Sequence, residues 1–293
     1  MNLPTRERSL SGSCRIVLFI WGLTFLVLAS AIPGRLNAQG NLLILPRRVV
    51  FEGAQKSQAL TLANTGADTA KFLISIVQMK MKEDGSFDPI DKPDSGQFFA
   101  DKYLRFYPRT VTLAPNKTQV VKMQFMKPPD IAPGEYRSHV YFRAVPKSKP
   151  LGEKDDIVDT ASVTAKLIAV FGITIPVIIR VGEPSTKVSM QDLSFEMSKD
   201  TVPKLKLTFH REGNFSCFGD LVVKHISPSG KETKAATVKG IAVYTPNRIR
   251  RFQCNLDRIP GVDYSSGKLV AVYTTPSDAK PVKIAEAEMD LKK

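Results

Sequence analysis

The sequence is poor in the residues on which metal sites and nucleophilic enzymes depend. Its 293 residues include only three cysteines, three histidines and one tryptophan. No Cys/His spacing typical of a zinc site occurs, and there is no Gly-x-Ser-x-Gly elbow, phosphate loop or HExxH motif. These absences argue against catalysis, so the sequence predicts a protein that is not an enzyme. They also predict no cofactor, no metal and no small-molecule substrate.

Acidic residues are outnumbered by basic ones. The chain has 42 Lys and Arg against 28 Asp and Glu, a formal net charge of +14, which favours an anionic or carboxylate-bearing partner. The excess is shared between residues 39–180, with 20 basic and 14 acidic side chains, and residues 181–293, with 18 and 13. Nucleic-acid-binding proteins concentrate their charge in one patch, so no nucleic-acid partner is predicted.

The longest apolar run lies at residues 16–32, and it follows a basic start that includes Arg6, Arg8 and Arg15. Small residues come next, up to Ala38. This pattern is typical of an export signal, so residues 1–38 are predicted to be a signal peptide. The alternative is an uncleaved membrane anchor, although 17 uncharged residues are short for a bilayer span. Either interpretation places the rest of the chain outside the cytoplasm.

Beyond the signal, apolar residues recur with a period of two, as at residues 58–63, 71–81 and 138–145. Gly, Pro and Asn separate these short runs, which is typical of β-sandwiches. A polar boundary at residues 181–185 precedes seven further strand-like runs. The prediction is an all-β protein with two immunoglobulin-like sandwiches, residues 39–180 and 181–293. The less regular residues 82–102 are predicted to be a long loop.

Two cysteines, Cys217 and Cys254, remain once the signal is removed. An even number of cysteines in an exported chain favours a disulfide bond. The alternative is a pair of separate buried thiols. A bridge would have a structural role only.

Three segments together resemble the periplasmic pilus-assembly chaperones of the PapD-like family. The first is PRRVVFEG at residues 46–53, which is similar to the first strand of that family. RFYP at residues 105–108, followed by VTLAP at 111–115, is similar to its mid-domain strand and turn. GEYRSHVYFR at residues 134–143 is similar to its sixth strand. The resemblance covers much of residues 41–180 in the family's order, whereas the second half matches in strand pattern only.

The resemblance implies two sandwiches in an L shape, in the periplasm, that bind a pilus subunit lacking its last strand. The seventh strand of the chaperone fills the gap, and the subunit is passed to an outer-membrane usher. A basic pair in the cleft anchors the subunit's terminal carboxylate. Its arginine corresponds to Arg48, whereas the position of its lysine is occupied by Thr174. The donor strand corresponds to residues 163–175, with Val163, Leu167, Ala169, Phe171 and Ile173 as its apolar residues.

The residues themselves leave two points open. Arg48 lies on the strand face opposite Val49 and Phe51, so it is either the carboxylate anchor or an ordinary solvated arginine. Residues 167–175 are largely apolar on both faces, which indicates burial on both sides. Either a partner or another part of the chain covers the second face. The expected function is that of a chaperone for pilus subunits, and the alternative is a periplasmic or cell-surface adaptor that binds a stable partner.

Overall fold

The structure is a computed structural model that describes residues 42–146, 170–197, 202–276 and 280–291. Nearly all of its regular structure is β-strand, apart from a short 3₁₀ turn at Asp101–Tyr103. The first group of strands is β1 (Leu42–Leu45), β2 (Val49–Phe51), β3 (Ser57–Asn64), β4 (Ala70–Val77), β5 (Met79–Met81), β6 (Phe87–Pro89), β7 (Leu104–Tyr107), β8 (Thr110–Leu113), β9 (Thr118–Phe125), β10 (Gly134–Val145) and β11 (Gly172–Val181).

These strands form a two-sheet sandwich. One sheet has the order β1-β3-β9-β7 and the other has the order β2-β11-β10-β4-β8. Alternate residues point inward, as in β9, where Val121 and Met123 are fully buried between exposed neighbours. Every strand pair in the two sheets is antiparallel except β2 with β11, which is parallel. This arrangement is that of an immunoglobulin-like sandwich.

The first segment of the described chain contributes to both sheets. β1 pairs with β3 in one sheet and β2 pairs with β11 in the other, with Pro46, Arg47 and Arg48 between them. Leu43 and Leu45 point outward, whereas Val49 and Phe51 are buried. The alternation therefore changes phase where the chain changes sheets, and this places Arg48 immediately before β2, on the side opposite the core residue Val49.

The second group of strands forms a second sandwich. Its strands are β12 (Lys187–Glu196), β13 (Lys204–Glu212), β14 (Cys217–Ile226), β15 (Glu232–Val243), β16 (Ile249–Asn255), β17 (Lys268–Thr274) and β18 (Lys283–Asp290). The sheet orders are β12-β13-β16 and β15-β14-β17-β18. Leu205, Phe209, Leu221 and Tyr273 are fully buried between these sheets. The predicted fold class, two immunoglobulin-like sandwiches, is confirmed.

The prediction of a single long loop at residues 82–102 is partly wrong. Residues 79–89 form a hairpin in which β5 pairs with β6. The hairpin reaches the second sandwich, where Arg251 N donates to Glu83 O at 2.7 Å and Asn247 Nδ2 donates to Met81 O at 2.8 Å. The sequence here is rich in Asp, Pro and Gly, so its local pattern does not indicate strands. The strands are stabilised by contacts with the second sandwich, which is distant in sequence.

Candidate functional site

The outer face of the sheet β2-β11-β10 lies against the second sandwich. The strand registers align its side chains in rows across the three strands. Val50, Ile178 and Arg137 form one row, and Arg180 lies beside Glu135 in the next. Ile178 is fully buried and packs with Ala242 and Tyr244 of the second sandwich. Charged residues on this face are therefore enclosed when the two sandwiches pack together.

Glu135 is the buried acceptor of this interface, with 2% of its surface exposed. Its Oε2 accepts from Arg180 Nε at 3.2 Å, from Ser216 N at 2.9 Å and from Ser216 Oγ at 2.8 Å. Its Oε1 accepts from Thr245 Oγ1 at 3.2 Å. A buried carboxylate needs such a set of donors to offset its lost hydration. Because the donors come from both sandwiches, Glu135 links the two.

Arg180 is fully engaged. Besides Glu135, its Nη1 contacts Glu52 Oε2 at 3.3 Å and its Nη2 donates to the backbone oxygen of Ser216 at 2.8 Å. Its guanidinium thus meets one carboxylate inside the interface and another at the surface. These contacts assign Arg180 a structural role in holding the sandwiches together.

Arg48 is held much less completely. It lines a cleft of about 600 Å³ between the sandwiches, together with Arg47, Glu52, Arg180, Ser216 and Phe218. Its Nη2 donates to Ser216 Oγ at 3.4 Å, and its Cζ lies 4.5 Å from the centre of the Phe218 ring. The Nε and Nη1 groups are buried and have no hydrogen-bond partner among the described residues. Burial lowers the pKa of Arg48, but a guanidinium remains a cation in proteins.

Arg137 is a second arginine of this kind, and only 2% of its surface is exposed. Its Nη2 donates to Thr245 O at 3.3 Å, and its Cζ lies 4.5 Å from the centre of the Tyr244 ring. Its Nε and Nη1 also lack a partner within the part of the chain that the structure describes. Burial lowers the pKa of Arg137 as well. The face therefore carries three arginines around one buried carboxylate, with Glu52 at its surface edge, and keeps an excess of positive charge.

The fold is similar to those of several solved proteins. No protein-family model and no curated protein matches the sequence. The YadV chaperone is 14% identical with a TM-score of 0.41, over 86% of this chain and 100% of that one. The E. coli chaperone DraB is 13% identical with a TM-score of 0.39, over 86% and 96%. A chain of the Salmonella enterica SafA pilin complex with the SafB chaperone is 14% identical, with a TM-score of 0.39, over 85% and 96%.

At these identities and scores the likeness describes the fold and assigns no activity. Within the described ranges, no helix has the length and apolar character needed to cross a membrane. In the same ranges, no group of three or more His, Cys, Asp or Glu side chains is arranged to hold a metal ion.

Thr174 is not placed beside Arg48. The parallel register pairs Val49 with Val177, so the β11 residue level with Arg48 is Pro176. Thr174 lies two residues before Pro176 on the same face of β11, a step of roughly 7 Å. The two residues assigned to the carboxylate anchor therefore share a sheet face but occupy different levels of it.

The outer edge of β11 is only partly covered. β2 pairs with Val177, Ile178 and Ile179, and the edge at residues 172–176 has no strand partner among the residues described. Ala144 N donates to Phe171 O at 2.9 Å. Because backbone groups alternate sides along an antiparallel strand, those of Gly172 and Thr174 point away from β10. This open edge is able to accept another strand.

The inward-facing row of β11 continues beyond the sandwich. Val177 and Ile175 are 0% and 4% exposed, Ile173 is half-buried against the core, and Phe171 is 53% exposed. An apolar row thus leads from the core to an exposed aromatic ring at the open edge. Of the predicted donor residues, Phe171 and Ile173 are described here, whereas Val163, Leu167 and Ala169 lie outside the described residues, as does the predicted signal at residues 1–38.

The predicted Cys217–Cys254 disulfide is not formed in the structure, and both thiols are free. Cys217 lies on β14 and Cys254 lies on β16, which belong to different sheets of the second sandwich. Both pack into its core. Burial raises the pKa of the Cys217 thiol, and that of Cys254 to about 11. The two cysteines are therefore small, protonated core residues. This is the alternative of two separate thiols that the sequence left open.

Glu135, Arg137 and Tyr244 were not recognised from the sequence. The signal available was in β10, where Glu135 and Arg137 alternate with the core residues Tyr136 and Val140. That alternation is also what an ordinary solvated strand shows. Only the packing of the second sandwich distinguishes the two cases.

Proposed function

We propose that this chain is a periplasmic chaperone that binds an incomplete β-sandwich subunit by adding its own β11 strand to it. The observation that carries the proposal is the open edge of β11 with the exposed Phe171 beside it. Main-chain hydrogen bonds to an added strand supply affinity, and alternate side chains fill pockets in the partner. Phe171 continues the apolar row of the chaperone's own core, so a partner placed there would extend that core.

The cleft supplies a second contact. Arg48 carries buried donors that have no acceptor among the described residues, and a carboxylate accepts two parallel hydrogen bonds from one guanidinium. A buried donor that gains an acceptor recovers part of its desolvation cost. We therefore assign Arg48 as the anchor for a terminal carboxylate of the subunit. Delivery to an outer-membrane usher, as in the family that the sequence resembles, completes the proposed role.

The test is co-expression with a pilin-like subunit that lacks its last strand. We expect wild type to keep the subunit soluble and to co-purify with it, and Phe171→Glu to lose it. Val120→Glu is the matched control, because Val120 is also exposed, at 45%, but lies on the outer face of the opposite sheet. Arg48→Ala should reduce recovery of the subunit while leaving the fold intact.

A subunit to which its missing strand has been fused offers the sharpest contrast. The proposal requires that wild type bind the incomplete subunit and not the completed one. Equal binding of both, or full recovery with Phe171→Glu, would reject strand addition. A complex that never releases its subunit to a competing strand peptide would favour the alternative, a structural adaptor with a stable partner.

A further inference from the structure

The guanidinium of Arg48 contacts two aromatic rings that belong to the other sandwich. Its Cζ is 4.5 Å from the centre of the Phe218 ring and 5.7 Å from that of Tyr244. Phe218 is half-buried in the cleft, and Tyr244 is 5% exposed. A planar guanidinium stacks on aromatic faces and is attracted by their quadrupoles. The first sandwich thus supplies the charge and the second supplies the surface on which the charge rests.

Tyr244 is itself fixed from several sides. The Arg137 guanidinium lies 4.5 Å from its centre, and the ring of Phe87, on the β5–β6 hairpin, lies 6.0 Å away at an angle of 52°. Met81 and Ile178 pack in the same cluster. Because Tyr244 has little freedom to move, it is a rigid support for a long and otherwise mobile side chain.

Hydrogen bonding alone does not fix Arg48. Its one contact of this kind is the long 3.4 Å interaction with Ser216 Oγ, and no carboxylate forms an ion pair with it among the described residues. Aromatic packing is therefore the main restraint on its guanidinium. This packing orders the guanidinium and leaves its Nε and Nη1 donors unused. A salt bridge would occupy those donors.

Building on the proposed carboxylate-anchoring role of Arg48, we propose that Phe218 and Tyr244 are positioning residues for it. They hold the guanidinium ordered and poorly hydrated, so that a carboxylate meets donors that are already oriented. Ordering the side chain in advance removes part of the entropy cost of binding. The carboxylate site consequently requires both sandwiches, although its charge comes from only one.

The experiment follows the Arg48 Nε–H resonance by NMR in the full chain, assigned by its absence in Arg48→Lys. Two quantities are measured: the order of the resonance without ligand, from its heteronuclear NOE, and its shift on titration with sodium acetate against sodium chloride of equal ionic strength. The variants are Phe218→Leu, Phe218→Met, Tyr244→Leu and Tyr244→Phe. Phe252→Leu is the matched control, because its ring lies 5.7 Å from the Arg250 guanidinium, a different arginine–aromatic pair.

We expect loss of either ring to make the Arg48 Nε–H mobile and to weaken acetate binding by about three- to tenfold. Tyr244→Phe keeps the ring and should behave as wild type, as should Phe252→Leu. Phe218→Met keeps an apolar contact without a ring and should resemble Phe218→Leu, and its small volume change protects the fold. An ordered Nε–H and unchanged acetate binding in the ring-deleted variants would overturn the inference, as would an equal loss in Tyr244→Phe.

The two measurements separate this inference from the proposed function. If acetate does not shift the Arg48 resonance in wild type, the carboxylate anchor is wrong. The NOE then still decides whether the two rings order the guanidinium. If acetate binds in wild type and binds equally well without the rings, the anchor stands and the positioning role is rejected.

Discussion

Two enclosed arginines, Arg48 in the cleft and Arg211 in the second sandwich, differ in what their donors bind. Arg211 is 4% exposed, and it donates to the backbone oxygens of Asn247, Gly213 and Phe215, each at 2.9 Å. Arg48 has one long contact with a hydroxyl and two donors without an acceptor in the described chain. Burial lowers the pKa of both. Arg211 therefore stabilises the fold of the second sandwich, whereas Arg48 keeps two hydrogen-bond donors for a ligand.

The largest effect that separates these two regions should appear in Arg211→Leu. The change removes three charge-assisted hydrogen bonds, and the one to Phe215 O is buried, so we expect a loss of about 3 kcal/mol in the free energy of unfolding. The matched change Arg48→Leu should alter that free energy by no more than about 1 kcal/mol. Urea unfolding followed by circular dichroism measures both. Equal losses would show that Arg48 is as structural as Arg211.

A smaller effect concerns the histidine beside the arginines. His139 is 3% exposed, faces Pro176 and Val77 on neighbouring strands, and has the ring of Phe87 at 5.4 Å. Burial, and then the charge of Arg137, lowers the pKa of His139 to about 3. The unfolded chain, with a histidine pKa of about 6.5, binds a proton below that pH when the folded chain does not. Stability is therefore lost as the pH falls from about 6.5 toward 3.

His139→Gln removes that linkage. We expect the free energy of unfolding to depend less on pH between pH 4 and 6.5, by about 1 kcal/mol per pH unit. Urea unfolding at several pH values measures the slope. An unchanged slope would mean that His139 is protonated in the folded protein, and that the arginine-rich face is less electropositive than its geometry indicates.

The smallest effect on the free energy of unfolding should come from treating the protein with a thiol reductant. Because Cys217 and Cys254 are free, dithiothreitol should change the free energy of unfolding by less than about 0.5 kcal/mol, within the range of surface substitutions. A bridge between them would close a long loop and stabilise by about 3–4 kcal/mol in the loop-entropy model. Unfolding with and without the reductant decides between the two. A clear loss of stability in dithiothreitol would show that the two cysteines form a disulfide bond.

The strands were predictable because their signal is local. Residues 58–63 and 138–145 show strand alternation in the sequence, and β3 and β10 lie at Ser57–Asn64 and Gly134–Val145. The change of sheet between β1 and β2 was not predicted, because the apolar residues on both sides of Pro46 resemble one continuous strand. Pairing with β3 and with β11, both distant in sequence, separates them.

The site was predictable only in part, because most of its contacts join residues that are distant in sequence. Arg48 was singled out by a motif, and its placement in the cleft is seen in the structure. Its aromatic neighbours Phe218 and Tyr244 are 170 and 196 positions away in sequence. No local pattern relates residues at that distance. The burial of Glu135 likewise depends on Ser216 and Thr245 of the other sandwich.

Pro176 gives the open edge of β11 a fixed end. Its nitrogen carries no hydrogen, so it donates nothing to a neighbouring strand. At the next residue, Val177, the edge is already paired with β2. A strand lying along this edge has matching donors and acceptors at Gly172 and Thr174 and then meets a stop. Pro176 thus fixes the register of an added strand. The register decides which side chain of that strand lies opposite each residue of β11.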